Sequence, residues 1–217
     1  MLGGWSPTAG YQGIWKSVDG LNWKNIKNKT EWEEREGHKV LEYGGKFYLL
    51  GGVNYDKRKT FNDVWVSEDL VEWSLFALST PWHPRWDHDV VVFKNKMFVL
   101  GGMDLGNVGF DDVWMTENGK DWSLVMDNAP WGKRQGHGAV VVDKWMFIIG
   151  GLNTDTIEGE GDVWFTKNGI NWEKSPNDGA WRGREDHAVT VFNDKVFVFG
   201  GMDADFRWNN DVWFFEI

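Results

Sequence analysis

Five Gly-Gly pairs punctuate the chain at a nearly constant interval: Gly3-Gly4, Gly51-Gly52, Gly101-Gly102, Gly150-Gly151 and Gly200-Gly201. Tryptophans keep the same beat. One series is Trp15, Trp65, Trp114, Trp164 and Trp213; a second is Trp23, Trp73, Trp122 and Trp172; a third is Trp32, Trp82, Trp131 and Trp181. All four series recur at about fifty residues, so the chain is one supersecondary unit repeated, each copy needing its neighbours to bury its faces. Tryptophan is correspondingly abundant, with 17 in 217 residues.

Each unit holds four strand candidates. The first, as in Val90-Val91-Val92-Phe93 or Val140-Val141-Val142, is apolar at successive positions, which predicts burial on both faces. The second is Met97 to Leu100 and its copies, Phe47 to Leu50 and Met146 to Ile149. Gly44-Gly45, Asp143-Lys144 and Asn193-Asp194 join the first to the second as short hairpin turns of residues that tolerate positive φ. The third strand carries Asp63-Val64-Trp65 and equivalents, and the fourth carries Trp73 and equivalents. Their hairpins read SVDGLNW, SEDLVEW, TENGKDW and TKNGINW, where Ser or Thr can bond back to the turn backbone. No helical period appears. Four short antiparallel strands cannot bury both faces alone, but radial stacking around an axis does it. The expectation is an all-β propeller, the first strand nearest the axis and the fourth at the rim. Tryptophans fill the wedge between sheets, each removing roughly 200 Å² from water.

Four features together resemble the kelch-repeat β-propeller family: Gly-Gly after the second strand, Asp-Val-Trp on the third, Trp on the fourth, and Arg-x-x-His before the first. The resemblance covers essentially the whole length and implies a kelch-type β-propeller of four-stranded antiparallel blades. It implies no single activity. The third-to-fourth hairpin is also similar to the Asp-box turn of sialidase-type propellers, but lacks one residue between Asp and Gly. We expect a single domain over residues 1–217, with units at approximately 1–30 (partial), 31–80, 81–129, 130–179 and 180–217 (partial). Four to five blades are visible, which predicts a small ring. Three closures are open: the strand at Asn22 to Ile26 completes the blade built from His187, Lys195 and Asp211; five blades exist with two incomplete; or an arc closes against another copy.

The net charge of −10 argues against nucleic acid and against an anionic membrane surface. The absence of cysteine excludes disulfides, thiolate metal sites and Cys nucleophiles. It also excludes a galactose-oxidase-like radical copper enzyme, whose cross-linked cofactor needs a Cys. No apolar run approaches the roughly 18 residues of a membrane span. The opening MLGGWSPTAG lacks the basic start and apolar core of a signal peptide. A soluble protein without metal or cofactor is expected.

Antiparallel order puts the long loops, two-to-three and four-to-one, on one face, where a ligand or partner is expected. The four-to-one loops hold Trp-x-x-Arg-x-x-His as Trp32/Arg35/His38, Trp82/Arg85/His88, Trp131/Arg134/His137 and Trp181/Arg184/His187. A ring of arginines suits a carboxylate, sulfate or sugar acid. The stronger reading is architectural: Arg pairs with the Asp before Val-Trp, and His bonds backbone. The histidines lack the close-spaced pairs of a metal site, and the run from Asp155 to Asp162 reads as a solvated acidic loop. Residues that break the repeat say more: Trp5, Tyr11, Tyr55, His83, Trp86, Phe110, Phe206, Arg207 and Trp208. Aromatic rings near Arg suit a protein hot spot or a sugar face. The candidate ligand- or partner-binding residues are therefore His83, Arg85, Trp86, Arg134, Arg184, Arg207 and Trp208.

The expected function is a non-catalytic binding module for a protein or glycan. One alternative is a sugar-acid mutarotase or epimerase, as some kelch-like proteins are, with Arg85, Arg134 or Arg184 holding the carboxylate and Glu185, Asp186 or Asp87 moving protons. The other is a structural subunit forming a homo-oligomer through unpaired terminal strands. No acid/base pair stands out, which leans away from an enzyme.

Overall fold

The structure, a computed structural model, describes residues 1–6, 9–176 and 179–216, with Trp5 and Ala9 described by backbone alone. Every element among the described residues is a strand. The first blade is β1 (Leu2–Ser6), β2 (Ala9–Lys16) and β3 (Lys24–Lys27). The second holds β4 (Lys39–Tyr43), β5 (Lys46–Leu50), a small hairpin β6 (Val53–Asn54) and β7 (Lys59–Thr60), then β8 (Val64–Ser67) and β9 (Ser74–Ala77). The third is β10 (Asp89–Phe93), β11 (Lys96–Leu100), β12 (Val113–Thr116) and β13 (Trp122–Met126). The fourth follows a short β14 (Arg134–Gln135) with β15 (Gly138–Val142), β16 (Trp145–Asn153), β17 (Glu158–Thr166) and β18 (Trp172–Lys174). The fifth follows β19 (Arg184–Glu185) with β20 (Ala188–Phe192), β21 (Lys195–Phe199), a short β22 (Met202–Asp203) and β23 (Val212–Glu216). The blades are antiparallel sheets arranged as a five-bladed propeller. The inner strands β4, β10, β15 and β20 pack side by side around the axis.

Register explains why the inner strands are apolar on both faces. In the third blade Val90, Val99 and Trp114 form one row and Val91, Phe98 and Met115 the next. The first row packs on Tyr48 and Leu50 of the second blade. The second row packs on Met146 and Ile148 of the fourth. The wedge tryptophans meet edge to face: Trp82 on Trp122 with ring centroids 6.0 Å apart, Trp131 on Trp172 at 6.2 Å.

The Gly-Gly pair has a geometric cause. Gly101 and Gly102 have φ of 55° and 94°. A Cβ on Gly101 would stand 2.9 Å from His137 Cε1, and one on Gly102 would stand 2.7 Å from His88 Cβ. Two successive histidines thus rest on one glycine pair, and any side chain there would push the blades apart.

The blade count comes out at five, with the outer two incomplete. The exchange of the fourth strand into the last blade does not occur: β3 pairs with β2, not with β23. The reason is local. Ser17 Oγ accepts from Gly20 N at 2.9 Å and Asp19 Oδ1 accepts from Asn22 N at 2.8 Å, so the turn commits β3 to its sequence neighbour. Nor is the ring sealed by apolar packing. The four buried clusters among the described residues sit at the four junctions between consecutive blades. On the last blade Phe192, Phe199 and Phe214 remain exposed.

Candidate functional site

The recurring arginines are spent on architecture. Arg85 meets Asp112 through both terminal nitrogens, donates to Gly101 O at 2.8 Å, and donates from Nε to His83 O at 3.0 Å. Trp114 Nε1 donates to the same carboxylate at 2.7 Å. The unit repeats as Arg35–Asp63, Arg134–Asp162 and Arg184–Asp211. Each arginine is at most 2 % exposed. In Arg85, four of the five guanidinium donors are taken within the blade, both terminal nitrogens by the aspartate. The candidates Arg85, Arg134 and Arg184 therefore lie below the surface as cross-links between loop and third strand. The histidines complete this belt. His187 Nε2 lies 3.1 Å from Ile149 O. Burial, seconded by the adjacent arginine, lowers His38 to about 3 and His187 to about 4, and holds His88 and His137 well below the ordinary imidazole range.

Between each Arg and His stand two residues that do not repeat: Glu36-Gly37, Trp86-Asp87, Gln135-Gly136 and Glu185-Asp186. Their backbones form a relay around the axis. Asp186 N donates to Gly136 O at 2.8 Å, Gly136 N to Asp87 O at 3.0 Å, and Asp87 N to Gly37 O at 3.0 Å. Gly37, Asp87, Gly136 and Asp186 all have positive φ. A Cβ on Gly37 would lie 2.7 Å from Asp87 Oδ1, and one on Gly136 would lie 2.9 Å from Asp186 Oδ1. The aspartate of one blade thus folds over the glycine of the blade before it.

Next to this relay in sequence, Trp86, Gln135 and Glu185 line a groove across the long-loop face. Its main part is a cleft of about 490 Å³ whose walls include Tyr55, Trp86, Met103, Asp104, Gln135 and Ile157. A smaller hollow continues past Leu152 and Ile157 to Glu185 and Phe206. Tyr55 meets Trp86 edge to face at 5.6 Å. Trp86 is pinned by paired backbone bonds to Met103 at 2.9 and 3.0 Å. Gln135 Nε2 donates to Glu185 Oε2 at 2.9 Å across a blade junction.

The segments beside the groove are acidic, and of their four carboxyls Glu185 lines it. Burial pushes Glu185 up to about 7, with the Asp186 charge adding and the Gln135 bond opposing. Burial, then the Asp186 charge, drives Asp87 well above the carboxylate range. Asp186 rises too, against the pull of Lys39. Glu36 is raised mainly by burial, while its hydrogen bond with Tyr55 opposes. Lys39 is the cation that reaches this group: it lies 3.5 Å from Asp89, whose charge is the main cause of its raised pKa. Carboxyls held above their ordinary range give up part of their charge near neutral pH, and a cation entering beside them would restore it.

Of the remaining candidates, Trp86 lines the cleft. His83 is exposed at its rim, 3.8 Å from Asp104 and over the Phe110 ring, which itself lies under Arg85. Arg207 and Trp208 are exposed on the loop of Phe206, with Arg207 3.4 Å from Asp205. Tyr11 is exposed on the first blade; the Trp5 side chain lies outside the described residues. Gln135 and Glu36 were not singled out by the sequence. The signal for them is the variation between a fixed Arg and a fixed His. No group of His, Asp or Glu among the described residues is arranged to hold a metal ion. No helix there is long and apolar enough to cross a membrane.

Blade order, glycine pairs and the Arg–Asp belt together define a kelch-type β-propeller, a class that serves in general as a binding scaffold. The KLHDC2/KLHL20/DRC7 Kelch-repeats domain matches residues 1–201, and the chain belongs to this family. No curated protein matches it. Solved structures do, 309 chains in all. One of them, "Structure of YjhT", aligns with a TM-score of 0.80 at 16 % identity, covering 100 % of this chain and 77 % of that one. At that identity the likeness is one of fold.

Proposed function

We propose that the chain is a non-catalytic binding module that grips a protein partner across the groove from Tyr55 and Trp86 to Phe206. The observation that carries this reading is the groove itself: loops of four blades build one concave, aromatic-walled surface on a scaffold whose repeated arginines are paired with aspartates. Half-buried aromatics beside charged groups are what protein hot spots use. A glycan is the competing ligand, since an indole face also stacks on sugars. Binding panels of proteins and of glycans, read by interferometry, separate the two. A protein ligand is expected whose affinity falls at least tenfold with Trp86→Ala. Undiminished binding by both Trp86→Ala and Trp208→Ala removes the proposed surface.

The sugar-acid enzyme reading lacks its anion grip, because the arginines that would hold a carboxylate are paired with aspartates. Mutarotation of an acidic sugar, followed by NMR, is expected to run at the buffer rate. Assembly has one specific support, the exposed Phe192, Phe199 and Phe214. A solution mass that stays monomeric over a wide concentration range would remove it.

A further inference from the structure

The chemistry of the groove narrows the partner, and this inference rests on the groove being the binding surface. Gln135 is 8 % exposed, and while its Nε2 donates to Glu185, its Oε1 has no partner. With Glu185 ionised, this bond fixes the amide's orientation, since the opposite one would set two oxygens face to face. The indole N–H of Trp86 is likewise buried and unpartnered. Both side chains line the cleft. Eleven other buried side-chain atoms among the described residues are bare as well, all on the recurring tryptophans and histidines; these two are the ones on residues that line the cleft, and a bare acceptor costs about 1–3 kcal/mol until a donor reaches it. A water molecule would supply that donor. It would not answer the charge nearby, where Glu36, Asp87, Glu185 and Asp186 crowd together and Lys39 answers first to Asp89.

A guanidinium meets both demands. Its planar fork offers five donors in fixed directions, enough for Gln135 Oε1 and a carboxylate together, and its flat face stacks on an aromatic ring. The cleft matches the rest of such a side chain. Met103, Leu105, Leu152 and Ile157 give an apolar wall for a methylene stem, and Trp86 gives the ring. An ammonium satisfies the charge but does not lie flat or donate in two fixed directions. A carboxylate would meet the acidic segments and gain nothing from a bare acceptor.

We propose that the groove takes an arginine side chain presented by a protein partner, its guanidinium between Gln135, Glu185 and the Trp86 ring. A peptide carbonyl of the same partner accepts from Trp86 Nε1. The charge beside the groove draws basic segments toward the mouth, and Gln135 with Trp86 selects among them.

The test is an ¹H–¹⁵N titration of the intact chain with Nα-acetyl-arginine methylamide, and with its citrulline, lysine and glutamate counterparts. The expected result is saturable movement of the Gln135 side-chain amide and the Trp86 indole signals with the arginine compound. Citrulline, the neutral isostere, should bind at least tenfold more weakly, lysine more weakly than arginine, and glutamate not at all. Glu185→Gln, which preserves shape, should weaken the arginine compound at least fivefold with the rest of the spectrum unchanged. Equal binding of citrulline or lysine overturns the arginine assignment while leaving the groove as a binding surface. The absence of movement at both signals with the arginine compound also overturns it. If those signals move with arginine but Trp86→Ala captures a protein ligand as well as wild type, the pocket stands and the wider reading of the face falls.

Discussion

Along each Arg-x-x-His segment, adjacent positions behave in opposite ways. Arginine and histidine recur in four blades, and the arginines are buried and spend their polar groups on an aspartate and backbone carbonyls of the same blade. The two residues between them differ between neighbouring blades, and Trp86 and Gln135 among them line the cleft. The belt holds the blades at their spacing; the mouth uses that spacing. In a repeat of this kind recurrence marks what every blade needs, and departure from it marks what the molecule presents.

Acid should break the comparison most severely. The belt histidines have folded pKa values below the ordinary 6.5, about 3 for His38 and about 4 for His187. The unfolded chain therefore takes up protons first. Their contribution is intact above about pH 6.5 and declines as pH falls toward the folded values, each by up to about 1.4 kcal/mol per unit. The histidines should cost on the order of 5 kcal/mol between pH 7.5 and 4.5 in urea denaturation, less what the raised carboxyls regain on protonation; imidazole NMR signals that titrate near pH 6.5 would mean the rings are not buried neutral. Next in size is Arg134→Ala, which strands Asp162 and should cost about 3–5 kcal/mol, measured by the same denaturation. A cost below about 1 kcal/mol would mean the pair is solvated.

Glu185→Gln should move stability the other way. A carboxyl raised to about 7 in the fold contributes fully below its unfolded value near 4.5, and that contribution is lost as pH rises through 7. The substitution should therefore stabilise by roughly 1–3 kcal/mol at pH 8 and by almost nothing at pH 4. Belt and mouth thus carry opposite pH signatures. Smallest is Trp208→Ala: the side chain is 70 % exposed, and the change should stay within about 0.5 kcal/mol. A larger loss would place this loop inside the packed structure.

The belt could be read from the sequence because each of its parts is written four times. Arg85, Asp112 and Trp114 keep their spacing in every full unit, so pairing them required no knowledge of distant contacts. The same holds for the hairpins at Ser17, Ser67, Thr116 and Thr166, where every interaction lies within a few residues. The mouth was only half legible. Trp86 stood out as a residue that breaks the pattern, but Gln135 and Glu185 are fifty positions apart and acquire meaning only when two blades bring them to 2.9 Å. Blade number was illegible for a related reason: counting strands does not say which edge a terminal strand joins. The turn at Asp19 decided that, giving β3 to β2. Arg85, Arg134 and Arg184 were candidate contacts for an anion, but the stronger sequence reading paired each with the Asp before Val-Trp, and that pairing is what the blades hold.

The alternation of Gly37, Asp87, Gly136 and Asp186 around the axis has a last consequence. Had every blade carried an aspartate there, the opening would look alike from each blade, and an elongated guest could settle in several rotational settings of equal energy. With carboxylates on alternate blades, an indole in one quadrant and an amide in another, that degeneracy is lifted. The scaffold is built by repetition, yet its mouth has a front and a back, so an elongated guest would meet different groups in each setting.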